Sequence, residues 1–218
     1  MKRIVSVFLI LTLVVGIFAM SAVTTSAANK PSAPTVTLSN KSNGIRVDWN
    51  KVAGAREYIV YYKDNARGNW NKYYTGNNYF AYTRTESGKY YYFQVQPIGN
   101  NGVRGAYSKV KSLMYLSRPA FNKNTYVDTV YMLRYAQGKL AWNKVKGANY
   151  YEVVRYCYST NKWERLYLGK NNSYNVKMGF KNFFLPNKPL RFCVRAIYST
   201  HSGTARSCWS KEYKVNWT

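Results

Sequence analysis

The chain has 218 residues and a net charge of +25, from 33 Lys and Arg against only 8 Asp and Glu. A single histidine, His201, and three cysteines, Cys157, Cys193 and Cys208, with no Cys-x-x-Cys pair, point away from a structural metal site. The eight acids form no close cluster of the kind general acid–base chemistry uses.

Met1-Lys2-Arg3 opens the chain, an apolar run follows from Ile4 to Met20, and small residues fill Ser21 to Ala28. This is the layout of a secretory signal peptide, residues 1–28, with cleavage predicted after Ala28. The seventeen-residue apolar run falls short of the roughly 20 residues that span a bilayer, and no later stretch approaches it. The remaining 190 residues carry +23 and have a length that suits two small domains. Such a charge implies anionic partners: a cell-wall polymer, an acidic glycan, anionic lipid or nucleic acid. A secreted protein, monomeric and without a cofactor, is expected, retained at the cell surface without a covalent link if at all.

After Ala28 the patterns are β, and no sustained helical period occurs. Ile45, Val47 and Trp49 alternate with polar residues, as do Tyr91, Phe93 and Val95. Turn residues separate these runs at Asn43-Gly44, Gly76-Asn77-Asn78, Ser87-Gly88 and Gly99 to Gly102. Seven strands are predicted in the first half, at about 34–39, 45–52, 57–64, 69–75, 79–85, 90–98 and 106–115.

The second half repeats the first. Trp49-Asn50-Lys51-Val52-Ala53-Gly54-Ala55 returns as Trp142-Asn143-Lys144-Val145-Lys146-Gly147-Ala148. Tyr58 to Tyr62 is answered by a strand beginning at Tyr151, Tyr91 to Ile98 by Leu190 to Ile197, and Ala106 to Lys109 by Cys208 to Lys211. Four blocks in one order mean one structural unit used twice. The predicted architecture is all-β: two tandem antiparallel β-sandwiches, residues 29–116 and 117–218. No Gly/Ser spacer stands at Ser117-Arg118-Pro119, so limited freedom between them is expected. Asn124 to Gln137 is a surplus stretch of the second copy, either a longer first loop or an extended first strand.

These blocks resemble fibronectin type III modules of exported bacterial surface proteins and carbohydrate-active enzymes. The residues that carry the likeness are Trp49-Asn50-Lys51-Val52, Gly54-Ala55, Tyr58-x-Val60 and Tyr91-x-Phe93-x-Val95. The resemblance implies an immunoglobulin-like sandwich and a role in binding or spacing, with no chemistry attached. It implies a core of Trp49, Tyr58, Val60, Tyr91, Phe93 and Val95 in the first copy. In the second it implies Trp142, Tyr151, Val153, Leu190, Phe192 and Val194. Tyr91 stands at the family's corner tyrosine, which Leu190 replaces in the second copy. Arg155 stands where Tyr62 does, at an inward position.

Two surfaces are candidate sites. Arg155, Lys162, Arg191, Arg195, Arg206 and Lys211 are expected to form a basic face on the second copy, with few acids nearby. Tyr61, Tyr74, Tyr90 and Tyr92 alternate with inward residues and should face out. They could stack on sugars or bases, or simply cover neighbouring strands. Cys193 and Cys208, on neighbouring strands of this fold, are the predicted disulfide, with Cys157 the rival partner of Cys193 and three reduced thiols the alternative. The expected function is a non-catalytic binding or spacer protein that associates with anionic polymer by charge. The alternatives are a carbohydrate-binding accessory protein and a small secreted enzyme or toxin.

Overall fold

A computed structural model describes residues 30–100, 102–130, 135–179 and 188–217, so the predicted signal peptide lies outside the described residues. In the first module, β1 (Val36–Lys41), β2 (Gly44–Trp49) and β5 (Tyr79–Tyr82) form one antiparallel sheet in the order β1-β2-β5. The facing sheet is ordered β4-β3-β6-β7, from β4 (Asn71–Thr75), β3 (Ala55–Lys63), β6 (Tyr90–Gly99) and β7 (Lys111–Met114). Alternation puts Ile45, Val47 and Trp49 opposite Tyr58, Val60, Tyr91, Phe93 and Val95, all of them buried. Each such aliphatic or phenyl side chain contributes about 1.5–3 kcal/mol on leaving water.

The second module repeats the plan. β12 (Ser173–Met178), β9 (Tyr135–Ala141) and β8 (Tyr126–Val130) make the smaller sheet. β11 (Lys162–Gly169), β10 (Tyr150–Cys157), β13 (Leu190–Thr200) and β14 (Gly203–Arg206) make the larger, and β15 (Tyr213–Val215) also pairs with β13. The surplus stretch is thus part of an extended β8–β9 pairing, with Tyr126 opposite Lys139. Trp142, Tyr151, Val153, Leu190, Phe192 and Val194 are buried in its core.

Several polar locks recur in both copies. Val52 N–H donates to Tyr58 Oη (2.9 Å), and Val145 N–H to Tyr151 Oη (2.8 Å), so each buried tyrosine closes the turn after the repeated tryptophan. Ser108 and Ser210 interrupt the last strand of their modules. Each serine donates its N–H to a β-strand carbonyl, Val95 or Val194. Its hydroxyl then accepts the N–H of that same residue. One lock differs, for a covalent reason. Ala196 needs an acceptor for its N–H and finds Ser207 Oγ (2.9 Å), whereas its counterpart Pro97 has no N–H to satisfy. The predicted corner tyrosine works as the resemblance implies: Tyr91 Oη accepts the N–H of Glu86 (2.7 Å).

The modules meet without a spacer. Tyr115 packs into the first core, while Met114 and Leu116 on either side of it pack into the second. Leu116, placed at the end of the first domain by the sequence pattern, therefore belongs to the second core. Asn40 Nδ2 donates to the carbonyls of Met114 and Arg206 (both 3.1 Å), and Cys208 Sγ donates to Asn40 O (3.3 Å). Ser87 Oγ donates to Lys146 O (2.8 Å), and Lys146 Nζ pairs with Glu86 (2.8 Å). Here Gly88 and Gly147 lie back to back: a Cβ on Gly147 would fall 2.5 Å from Gly88 Cα.

Candidate binding cleft

The cations named from sequence do not form a bare basic face. Arg191 is bound in a fork by Glu212 (2.9 and 2.7 Å), and Arg195 Nε donates to Glu152 (2.7 Å), which Arg165 also approaches (3.6 Å). Arg155 points inward, as its alignment with Tyr62 implies, and bonds Glu164 (2.9 Å) with Met178 Sδ beside it. The expectation of few nearby acids is thus corrected: three of the chain's eight acids stand here. The pairing lowers the pKa of Glu212, through the hydrogen bond from Arg191, and raises that of Arg191. Lys162, Arg206 and Lys211 are exposed, with no ion pair among the described residues.

The tyrosines divide similarly. Tyr74 and Tyr90 are exposed, at 49% and 37%, and Tyr92 is half-buried. Tyr61, expected outside, does lie on the outer sheet face but is only 6% exposed. It forms a small second core with Ile59, Ile98 and Trp70, lies with its ring tilted 5.4 Å from that of Tyr107 and donates to Gln96 Oε1 (3.1 Å). That burial, and the hydrogen bond with Tyr107, push its phenol up to about 12.

All three thiols are free, so the predicted Cys193–Cys208 bridge is not formed in the structure. The register places Ile197 opposite Arg206, not Ala205, and the strand then breaks so that Ser210 takes the place opposite Val194. Cys208 is left in the break, with its Sγ turned to Asn40 O. Burial pushes the Cys193 thiol up to about 11. Hydrogen bonds from Ser159 and Thr160 lower that of Cys157. His201 sits by Tyr150, Ser199, Thr204 and Arg206, with no carboxylate lining that hollow.

The same region holds a cleft of about 420 Å³ on the outer face of the larger sheet of the second module. Val154 and Cys193, paired across β10 and β13, form its floor. Trp163, from β11, stands on one side, and Trp209, from the strand break beyond β13, on the other. Arg118, Cys208, Ser210 and Glu212 complete the lining. The paired arginines hold these walls: Arg191 lies 4.5 Å over the Tyr156 ring and 5.4 Å over Trp163, and Arg195 4.3 Å over Trp209. Each arginine is fixed by its carboxylate and stacks its guanidinium on an aromatic ring, a geometry worth about 0.5–2 kcal/mol. Sequence reasoning missed both tryptophans, although the repeat places Trp209 opposite Tyr107.

The repeat also explains why the cleft exists. In the first module Tyr61 occupies the position of Val154, and Trp70 and Tyr107 occupy those of Trp163 and Trp209. There the Tyr61 ring fills the space, packed against Tyr107 and Trp70. The smaller valine leaves the equivalent volume of the second module open.

The sheet order β1-β2-β5 against β4-β3-β6-β7, repeated in the second module as β8-β9-β12 against β11-β10-β13-β14 with β15 as a fifth strand on β13, decides the fold. Both modules are fibronectin type III folds. No family model matches the chain, and no curated protein does. Solved structures similar to it include the chicken CNTN1 FN1-FN3 domains, at 14% identity and a TM-score of 0.43, covering 86% of this chain and 68% of that one. An Fn3-like protein from Clostridium thermocellum is similar at 25% identity and a TM-score of 0.32, over 39% of this chain and 90% of that one. A structure described as a myokine is similar at 20% and 0.36, over 39% and 98%. Among the described residues of the fibronectin type III tandem, no group of three or more His, Cys, Asp or Glu could hold a metal ion, and no helix is long and apolar enough to cross a membrane.

Proposed function

We propose that this tandem is an exported, non-catalytic binding or spacer protein that associates with anionic polymer outside the cell through its excess charge. The charge balance carries the reading. Five acids, Asp48, Glu86, Glu152, Glu164 and Glu212, already serve eight cations in ion pairs. With eight acids against 33 Lys and Arg in the chain, most of the positive charge has no internal partner. Exposed cations such as Lys162, Arg206 and Lys211 are free to meet a polyanion, which would release counterions on binding. The association is therefore diffuse rather than confined to the arginines that hold the cleft.

The test is binding to inorganic polyphosphate at two salt concentrations. Affinity should fall by about 10-fold or more between 50 and 200 mM salt, as it does when several charge contacts form. Absent or salt-independent binding would overturn the reading. Carbohydrate binding is a second reading, favoured by the aromatic cleft of the second module rather than by the tyrosines of the first.

A further inference from the structure

We infer that the cleft above Val154 is a binding site for a sugar ring of an acidic saccharide, its apolar faces held by Trp163 and Trp209 and its carboxylate by Arg118. This rests on the polyanion reading only in taking the polymer to be an acidic glycan. The site itself is argued from the cleft.

Shape comes first. The cleft belongs to one module, because the residue that fills it in the other, Tyr61, is replaced by Val154. Its volume lies within the range of small-molecule sites, and its floor and walls are apolar with a few polar groups at the rim, as such sites are. A pyranose presents flat C–H faces and a polar edge. Aromatic walls suit the faces, and rim groups suit the edge.

Pre-organisation comes second. Arg191 is tied to Glu212 and stacked toward Trp163, while Arg195 is tied to Glu152 and stacked on Trp209. Both walls are thus set before a ligand arrives, which lowers the ordering cost of binding. The burial of Val154 and Cys193, each 6% exposed, gives a firm floor.

Charge decides the ligand class. Arg118 is exposed at the rim and has no carboxylate partner among the described residues. Arg191 and Arg195 flank the floor residue Cys193 on β13, each over a tryptophan ring. A cationic ligand, such as a quaternary ammonium, would be repelled despite the aromatic rings. A sugar carboxylate would instead gain a charge-assisted bond from the Arg118 guanidinium. Glu212 accepts one bond at each oxygen from Arg191 and keeps lone pairs for a hydroxyl.

The experiment titrates the full chain, expressed for export and purified, with tetragalacturonate, its methyl ester, polyphosphate and oligothymidylate, following tryptophan fluorescence. The acid should bind about tenfold more tightly than its ester, and Arg118→Gln should abolish that difference. Val154→Tyr, which installs the first module's own residue, should weaken tetragalacturonate by about tenfold or more, as loss of a central contact does. Its polyphosphate binding should remain within about twofold of the parent. Melting curves of the variant check its fold, and if it fails to fold, the acid–ester comparison with Arg118→Gln decides alone. Equal affinity for acid and ester, undiminished binding by Val154→Tyr, or an oligothymidylate affinity that falls with the same variant would each overturn the assignment. Failure of the diffuse-charge reading looks different: polyphosphate binding would be absent or insensitive to salt, whatever the cleft variants do.

Discussion

Gly54 and Gly147 occupy the same turn in the two modules, with φ of +74° and +88°, yet only Gly147 touches the other module. Alanine at either position takes on a left-handed backbone, at about 1–2 kcal/mol. At Gly54 that is the whole effect, since nothing lies within 4 Å of the added Cβ. At Gly147 the Cβ falls 2.5 Å from Gly88 Cα, and ordinary carbon contacts lie at about 3.5–4.0 Å. Backbone meets backbone there, so no side chain can swing aside, and the modules must part by about 1 Å. A shift of that size stretches the Ser87–Lys146 hydrogen bond, 2.8 Å long, beyond bonding range. The loss adds about 0.5–1.5 kcal/mol. Gly147→Ala should therefore destabilise by about 1.5–3.5 kcal/mol, against about 1–2 for Gly54→Ala. Scanning calorimetry reads the stabilities, and residual dipolar couplings read the angle between modules. Equal loss of stability in the two variants, with neither changing that angle, would show that Gly147 does not set the contact between the modules.

The remaining predictions concern single groups. Tyr58→Phe and Tyr151→Phe should each cost about 1–3 kcal/mol in urea unfolding, because a buried Val N–H loses its acceptor; a change near zero would mean that water replaces the hydroxyl. Hydrogen bonds from Lys146 and then Lys89 lower the Glu86 carboxyl to about 2 from 4.5. A depressed folded pKa means that the junction pair contributes fully above about pH 4.5 and is lost as pH falls to about 2. An NMR titration of the Glu86 carboxyl carbon with its midpoint near 4.5 would show the pair unformed in solution. Iodoacetamide at pH 8 should label Cys157, whose thiol is lowered, well before Cys193, which burial holds near 11. Comparable labelling rates at the two would contradict the burial of Cys193.

The repeat made the fold legible. Alternation in Ile45-Val47-Trp49 and Tyr91-Phe93-Val95 is enough to assign inward faces, because period two leaves no other arrangement with one core. The predicted strands agree with the observed ones within a few residues except at the last, where 106–110 leaves the ladder because Ser108 inserts its hydroxyl. The outer faces were less legible. Alternation says that Tyr61 faces away from the core, and it does, but it cannot say that Trp70 and Tyr107 will cover it. Nor does it show that Glu212, from an irregular stretch, will meet Arg191 on β13. The signal for the cleft was present in the alignment itself, where a large outward tyrosine in one copy faces a valine in the other. Reading it required comparing side-chain volume between copies, not polarity within one.

The serines that interrupt the last strands bear on how two such similar modules stay separate. β7 closes one side of the first module's larger sheet, and β14 and β15 close that of the second. A long unbroken strand at such a margin would offer free N–H and C=O groups to any chain of matching pattern. Here the available ladder is short: β7 spans four residues, β14 four and β15 three. Ser108 and Ser210 turn part of the intervening backbone inward to be satisfied within its own module. During folding, the copies in one chain and in its neighbours are the most dangerous misassembly partners, because their strands match. The broken margins deny them a template, so the protein can carry the same sandwich twice without pairing the wrong halves.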